Sequence, residues 1–291
     1  MDFYGLLNIL IPFLLPIFLG YCFARWMQLS ASSLLTLVRC IFLPVIMYNA
    51  LAARMSINMF LWVALAGVFV AIVGNVIAQY GNRVVKVNIG SSSALPNVAY
   101  FTLPFFVLIM GTQGLGTACA FFVGATLTCL LMHFVQSKAF NIKIILKEPW
   151  IYAAILGVFV ASTNSRPEFM VLLEKGLSPL MQASYSMILL YLGAYLYPLR
   201  GIFGLDHFLT VGTRLLIGFV VALLAIKSLP LTRVMSKALM LAALAPPSTL
   251  GQFFGLSSDS ESDQFAPKLG IIVSFILITV ILYTGLKPWT F

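Results

Sequence analysis

The sequence predicts an all-α polytopic membrane protein of ten transmembrane helices, arranged as two inverted five-helix repeats. Three observations carry that expectation. Of the 291 residues, 61% are hydrophobic and only 9% are charged, with a mean hydropathy of +1.04; soluble domains carry about 25% charged residues. The chain also divides into apolar runs joined by short connections, and a spanning helix needs about 20 mostly apolar residues. Finally, the fourth and ninth runs are both interrupted by proline, at matching places in two sets of five. Paired interrupted spans of this kind point to a transport site, and an odd number of spans per repeat inverts the second repeat in the bilayer.

In chain order the spans are expected at residues 4–24, 33–52, 59–80, 91–110, 115–135, 149–161, 172–197, 208–226, 234–255 and 266–286. The repeats divide as residues 1–146 and 147–291. The sixth span is short, and residues 167–175 read as an amphipathic lead-in to the seventh. The start, MDFYGLLNIL, has an acid where a signal peptide has a base, so the first span is expected to be retained. The net charge of +9 sits in short connections, which suits anchoring and topology rather than nucleic-acid binding. Lys138, Lys143 and Lys147 after the fifth span favour an outside N-terminus in a cell membrane, plasma or inner. Cys22, Cys40, Cys119 and Cys129 form no CxxC and read as free, buried thiols without redox or metal roles.

The fourth run, residues 91–111, reads SSSALPNVAYFTLPFFVLIMG. Pro104 lacks an N–H, and its ring opposes the carbonyl of Tyr100. A break is therefore expected near Phe101–Pro104. Unpaired backbone is tolerated at membrane depth only against protein or a wet cavity. The half-helix beyond it would aim N–H groups, carrying partial positive charge, into that cavity. The bland alternative is a structural kink. In the ninth run, ALAPPSTLGQFF, Pro246 and Pro247 are expected to make the second break.

Asn97 beside the first break offers two donors and an acceptor, for a carboxylate or for a crossing helix. Ser248, Thr249 and Gln252 follow the second break and either complete the site or, for the hydroxyls, cap freed backbone. Asn49, Asn75 and Gln79 are polar at membrane depth and are expected to bond between helices. Thr102 is read as back-bonding in its own helix, and Arg39 and Arg214 as snorkelling toward an interface. His133 is read as interfacial or structural. Apart from Glu174 at the start of the seventh, no Asp or Glu falls inside an expected span. A coupling ion is therefore not visible, leaving a proton on the substrate carboxylate, uniport or exchange as alternatives. No cofactor is expected, and paired aspartates, HExxH or a serine with a base are all missing, which argues against an intramembrane enzyme.

In order and spacing these motifs resemble the auxin efflux carrier family, which includes plant auxin exporters and bacterial malonate or malate carriers. The second span, LVRCIFLPVIMYNAL, has the family's leucine-rich helix with a central proline, here Pro44. NVAYFTLP places Asn97 and Pro104 like the family's pair, although Thr102 stands where the family usually has glycine. ILKEPWIYAAILGVF, with Lys147, Pro149 and Gly157, resembles the start of the family's second half, and LYLGAYLYPL, with Gly193 and Leu196, its seventh-span end. The ninth span departs from the family, with two prolines and a Phe254–Gly255 end.

The resemblance implies the crossover fold of bile-acid and sodium symporters. Spans one, two, six and seven would form a scaffold, and spans three to five and eight to ten a moving transport domain. It implies small organic anions as substrates and a homodimer through the scaffold. The expectation is a secondary carrier of mono- or dicarboxylates such as malate, malonate or auxin-like acids, working by alternating access. The alternatives are a bile-acid-symporter-like carrier of the same fold, or a non-transporting receptor or channel-like protein.

Overall fold

The structure is a computed structural model that describes residues 3–53, 55–85, 89–137, 142–163, 168–249 and 261–284. These residues are helical throughout, apart from connections and one isolated antiparallel bridge between Pro96 and Pro247. The helices are α1 (Phe3–Trp26), α2 (Ala31–Ala52), α3 (Ile57–Tyr80), α4 (Val98–Met110), α5 (Leu115–Ser137) and α6 (Ile142–Leu146). They continue with α7 (Pro149–Ser162), α8 (Glu168–Leu196), α9 (Leu205–Ser228), α10 (Arg233–Ala243) and α11 (Glu261–Thr284). Among the described residues six helices, α1, α2, α3, α5, α9 and α11, are long and apolar enough to cross a membrane. By that length and composition the chain is a multi-pass membrane protein. Residues 168–175 join α8 without interruption, so the expected lead-in is one helix with the span it precedes.

Two helices absorb a proline by the same local device. In α2 a π turn, Val38–Phe42, precedes Leu43 and Pro44; in α4 a π turn, Val98–Thr102, precedes Leu103 and Pro104. The sequences VRCIFLP and VAYFTLP share Val, four residues, then Leu-Pro. In each, the Leu N–H reaches back to the Val carbonyl, at Val38 and Val98. The wider turn takes up the missing hydrogen bond and the ring clash that would otherwise break the helix. The break expected at Phe101–Pro104 is therefore displaced. The helix runs through Pro104, and the chain leaves helical geometry upstream, at Leu95–Asn97.

Two sets of helices pack most extensively, and α2 also meets α5 between them. α1 lies along α8, and the second half of α2 lies along α7. α3 lies along α5, while α9 packs on α3, α10 and α11, and α10 also on α5. Small residues permit the closest approaches, as is common between membrane helices. A Cβ at Gly193 would overlap the Ile17 carbonyl of α1, and one at Gly124 would overlap the Ala64 carbonyl of α3. The elements meet in a continuous apolar core, where Phe13 of α1 touches the rings of Phe101, Phe105 and Phe275. Large apolar side chains such as Ile11, Phe18, Trp62, Phe69 and Phe159 face outward, as lipid contact requires.

Candidate functional site: a buried crossing of two broken segments

Two non-helical stretches cross in the interior. The first is Leu95–Asn97, between a 3₁₀ turn at Ser91–Ala94 and α4. The second begins where α10 ends at Ala243 and runs through Pro246 and Pro247. Neither proline can donate a backbone bond, so the helical ladder cannot continue, and the freed groups must pair elsewhere. They pair with each other. The Asn97 N–H donates to the Pro246 carbonyl, and the Ser248 N–H donates to the Leu95 carbonyl, each at 2.8 Å. Residues 92–106 and 238–249 are buried throughout. The close fit at Pro246 and Pro247 depends on Gly270 of α11, where a Cβ would meet both rings.

The structure brings Asn97, Pro246, Pro247 and Ser248 together at this crossing. Asn97 is 1% exposed, and among the described residues neither its amide nitrogen nor its amide oxygen has a hydrogen-bond partner. An unsatisfied buried amide costs about 1–3 kcal/mol, so the position is an expensive one to retain. Thr249 accepts a hydrogen bond from the Tyr191 hydroxyl of α8 at 2.9 Å. The Tyr191 ring stands 5.2 Å from that of Tyr100, one turn beyond Asn97, whose own hydroxyl is buried without a partner among the described residues. Gln252 lies outside the described residues.

Other sequence-predicted residues fall elsewhere. Pro104 and Thr102 lie inside α4. Thr102 does not back-bond: its hydroxyl has no partner among the described residues. Asn49 donates to the Val45 carbonyl and Gln79 to the Asn75 side chain, at 2.8 Å in each case. These two bonds lie within one helix rather than between helices, because a four-residue separation places the groups on the same face. Cys40 is exposed, unlike the buried Cys22, Cys119 and Cys129. His133 is half-buried on α5 beside the Phe134 ring.

The two arginines read as snorkelling are both turned inward. Arg214 is fully buried on α9 and donates from Nη2 to the Ala243 carbonyl at 2.7 Å, at the C-terminal end of α10. That carbonyl belongs to the last turn of the helix, where partial negative charge accumulates and a cation is stabilised. Arg39, on the π turn of α2, pairs with Glu148 immediately before α7, Nε to Oε2 at 3.5 Å. The same carboxylate oxygen accepts from Trp150 Nε1 at 3.0 Å. Glu148 is 2% exposed. Burial pushes its carboxyl up, while the Arg39 guanidinium and the Trp150 N–H pull it down; burial wins. A carboxylate was not expected at this depth because it sits one residue outside the apolar run; the signal was an acid directly before the proline that opens a span.

Two apolar hollows lie away from the crossing. One, of about 460 Å³, is lined by residues such as Phe60, Val123, Ala154 and Phe159. The other, of about 360 Å³, lies between α3 and α9. Neither offers a charged group, so they suit acyl chains better than anions. No family model matches the chain, and no curated protein matches it.

Proposed function

We propose that the protein is a secondary active transporter of small organic anions, working by alternating access at the crossing. The observation that carries this reading is the crossing itself: two interrupted segments hydrogen-bonded antiparallel at Pro96 and Pro247, with the Asn97 amide beside them lacking a partner among the described residues. Irregular backbone inside a membrane protein belongs where substrate passes. The Asn97 amide, Thr249 and Ser248 supply neutral polar contacts. These suit a carboxylate that must be released as well as bound, since each group contributes only about 1 kcal/mol. The reading takes mono- or dicarboxylates such as malonate, malate or auxin-like acids as substrates and places the protein with the auxin efflux carriers.

The packing supports the mechanical part of the reading. α1, α2, α7 and α8 would be the scaffold of the ten-span inverted-repeat arrangement, and α3, α4, α5, α9, α10 and α11 the moving part. Reciprocal close contacts at Gly20 and Gly193 within the first group, and at Gly67 and Gly124 within the second, suit two bodies that each stay rigid. A membrane enzyme is a weaker reading, because the buried polar groups at the crossing are amides and hydroxyls with no nucleophile–base pair among the described residues.

Uptake of labelled malonate, malate and indole-3-acetate into proteoliposomes tests the proposal. Saturable uptake by the wild type, lost in Asn97→Ala, is the expected result. Uptake unchanged in Asn97→Ala would move the site away from the crossing, and no uptake of any of the three by folded protein would contradict the carrier reading.

A further inference from the structure

The most deeply buried cation among the described residues is Arg214, at 0% exposure. Resting on the carrier reading above, we infer that Arg214 is a substrate-binding residue: its guanidinium takes the second carboxylate of a short dicarboxylate whose first carboxylate meets Asn97.

A guanidinium carries five N–H donors and a permanent charge. Arg214 uses one donor, on Nη2, for the Ala243 carbonyl at 2.7 Å. Among the described residues its Nε and Nη1 are buried without a hydrogen-bond partner, and no carboxylate stands within ion-pair distance. A carbonyl at a helix end offers only partial negative charge, so the full charge of Arg214 is incompletely compensated. Arg214 lies about 14 Å from the start of α9, roughly half the thickness of a hydrocarbon core. Cations held at such depth mark the paths of substrates and ions. Whichever edge of the guanidinium the Ala243 carbonyl occupies, the other edge keeps two parallel N–H groups. That fork grips both oxygens of a carboxylate.

Arg214 and Asn97 fasten the two ends of one four-residue stretch of the second broken segment. Arg214 holds the Ala243 carbonyl, and the Asn97 N–H donates to the Pro246 carbonyl at 2.8 Å. Leu244 and Ala245 are buried between them. Three peptide units keep the Cα atoms of Ala243 and Pro246 within about 11 Å of each other. Gly218, one turn after Arg214, permits the approach, since a Cβ there would overlap the Ala243 carbonyl. The same stretch is therefore flanked by a neutral amide and a cationic fork, each with hydrogen-bonding groups not paired among the described residues. Amides and hydroxyls suit one carboxylate. A second carboxylate brings a charge that they leave uncompensated. Arg214 neutralises that charge, and the carboxylate neutralises Arg214. The bond to Ala243 stays in place throughout, and the other edge of the guanidinium meets the cargo when the crossing opens.

The test uses the full chain in proteoliposomes, at a pH where both carboxyls of malonate and malate are ionised. The probes are labelled malonate and malate, their labelled monomethyl esters, and labelled indole-3-acetate. In the wild type the carried diacid has an apparent affinity about 10- to 100-fold tighter than its monoester, the range that hydrogen bonds to a charged group supply. In Arg214→Gln, where the amide can still donate to the Ala243 carbonyl, the diacid falls to the affinity of the monoester and the monoester is unchanged. A parallel loss of both would mark a structural role and overturn the inference. Arg214→Lys keeps a cation beside Ala243 without the fork, so it retains only part of the discrimination; it decides if Arg214→Gln does not reconstitute. Discrimination undiminished in either variant, a wild type that treats diacid and monoester alike, or carriage of indole-3-acetate alone overturns this inference and leaves the carrier reading standing. No uptake of any probe by folded protein defeats the carrier reading and this inference with it.

Discussion

Arg39 and Arg214 make an instructive pair. Both are cations turned into the interior of a multi-pass membrane protein, yet they are compensated differently. Arg214 of α9 meets the backbone carbonyl of Ala243, while Arg39 of α2 meets the carboxylate of Glu148. A carbonyl at a helix end offers partial negative charge that nothing in the physiological pH range can remove. A carboxylate offers a full charge that a proton can cancel. The first arrangement is fixed and serves packing, holding the end of α10 where the second broken segment begins. The second can be switched by a proton, and it joins α2 to the start of α7.

The comparison is broken most directly by removing one partner of the ion pair. Glu148→Ala takes the carboxylate away from Arg39, whose side chain is 14% exposed, and should lower apparent stability by at most about 3–5 kcal/mol, whereas the double variant Arg39→Met/Glu148→Leu should recover most of that loss. Thermal unfolding of purified protein in detergent reads both. A single variant as stable as the wild type would show that the pair is solvated rather than buried. Arg214→Met should cost less, about 1–3 kcal/mol, because it leaves a neutral carbonyl rather than a charge without a partner. A loss as large as that of Glu148→Ala would mean that Arg214 holds an anion of its own. Tyr191→Phe removes one neutral hydrogen bond to Thr249 and should cost about 0.5–1.5 kcal/mol. It sharpens the comparison by measuring the cluster without touching charge. The smallest effect concerns Cys40 on the Arg39 turn. A lipid-permeant maleimide should label it ahead of the buried Cys22, Cys119 and Cys129, with no change in melting temperature.

Much of the fold was legible because apolar length alone identifies membrane helices. The runs at α1, α2, α3, α5, α9 and α11 were read at nearly their structural bounds. The place of the first break was not legible from Pro104, because a π turn can absorb a proline, and here Val98–Thr102 does so. The same turn in α2, with the same Val-x-x-x-x-Leu-Pro pattern, is the signal that would have moved the break upstream to Pro96. Asn97 was singled out from its place near prolines, and the structure puts it at the crossing. Arg39 and Glu148 were not linked, since a pair between distant stretches leaves no local period or spacing to read. Arg214 looked able to reach an interface because it lies toward the start of its apolar run. Its side chain instead follows the close approach at Gly218, where a Cβ would overlap the same Ala243 carbonyl that Arg214 binds.

The central claim is that the crossing opens alternately to the two sides of the membrane. Thr249→Cys, with the four native cysteines replaced, places a thiol at the crossing where the wild-type side chain is 2% exposed. Labelling by a membrane-impermeant maleimide is measured in right-side-out and inside-out vesicles, with and without malonate, malate and indole-3-acetate. The account predicts labelling from both sides, slowed by whichever acid is carried. Labelling from one side only, or from neither, would contradict it.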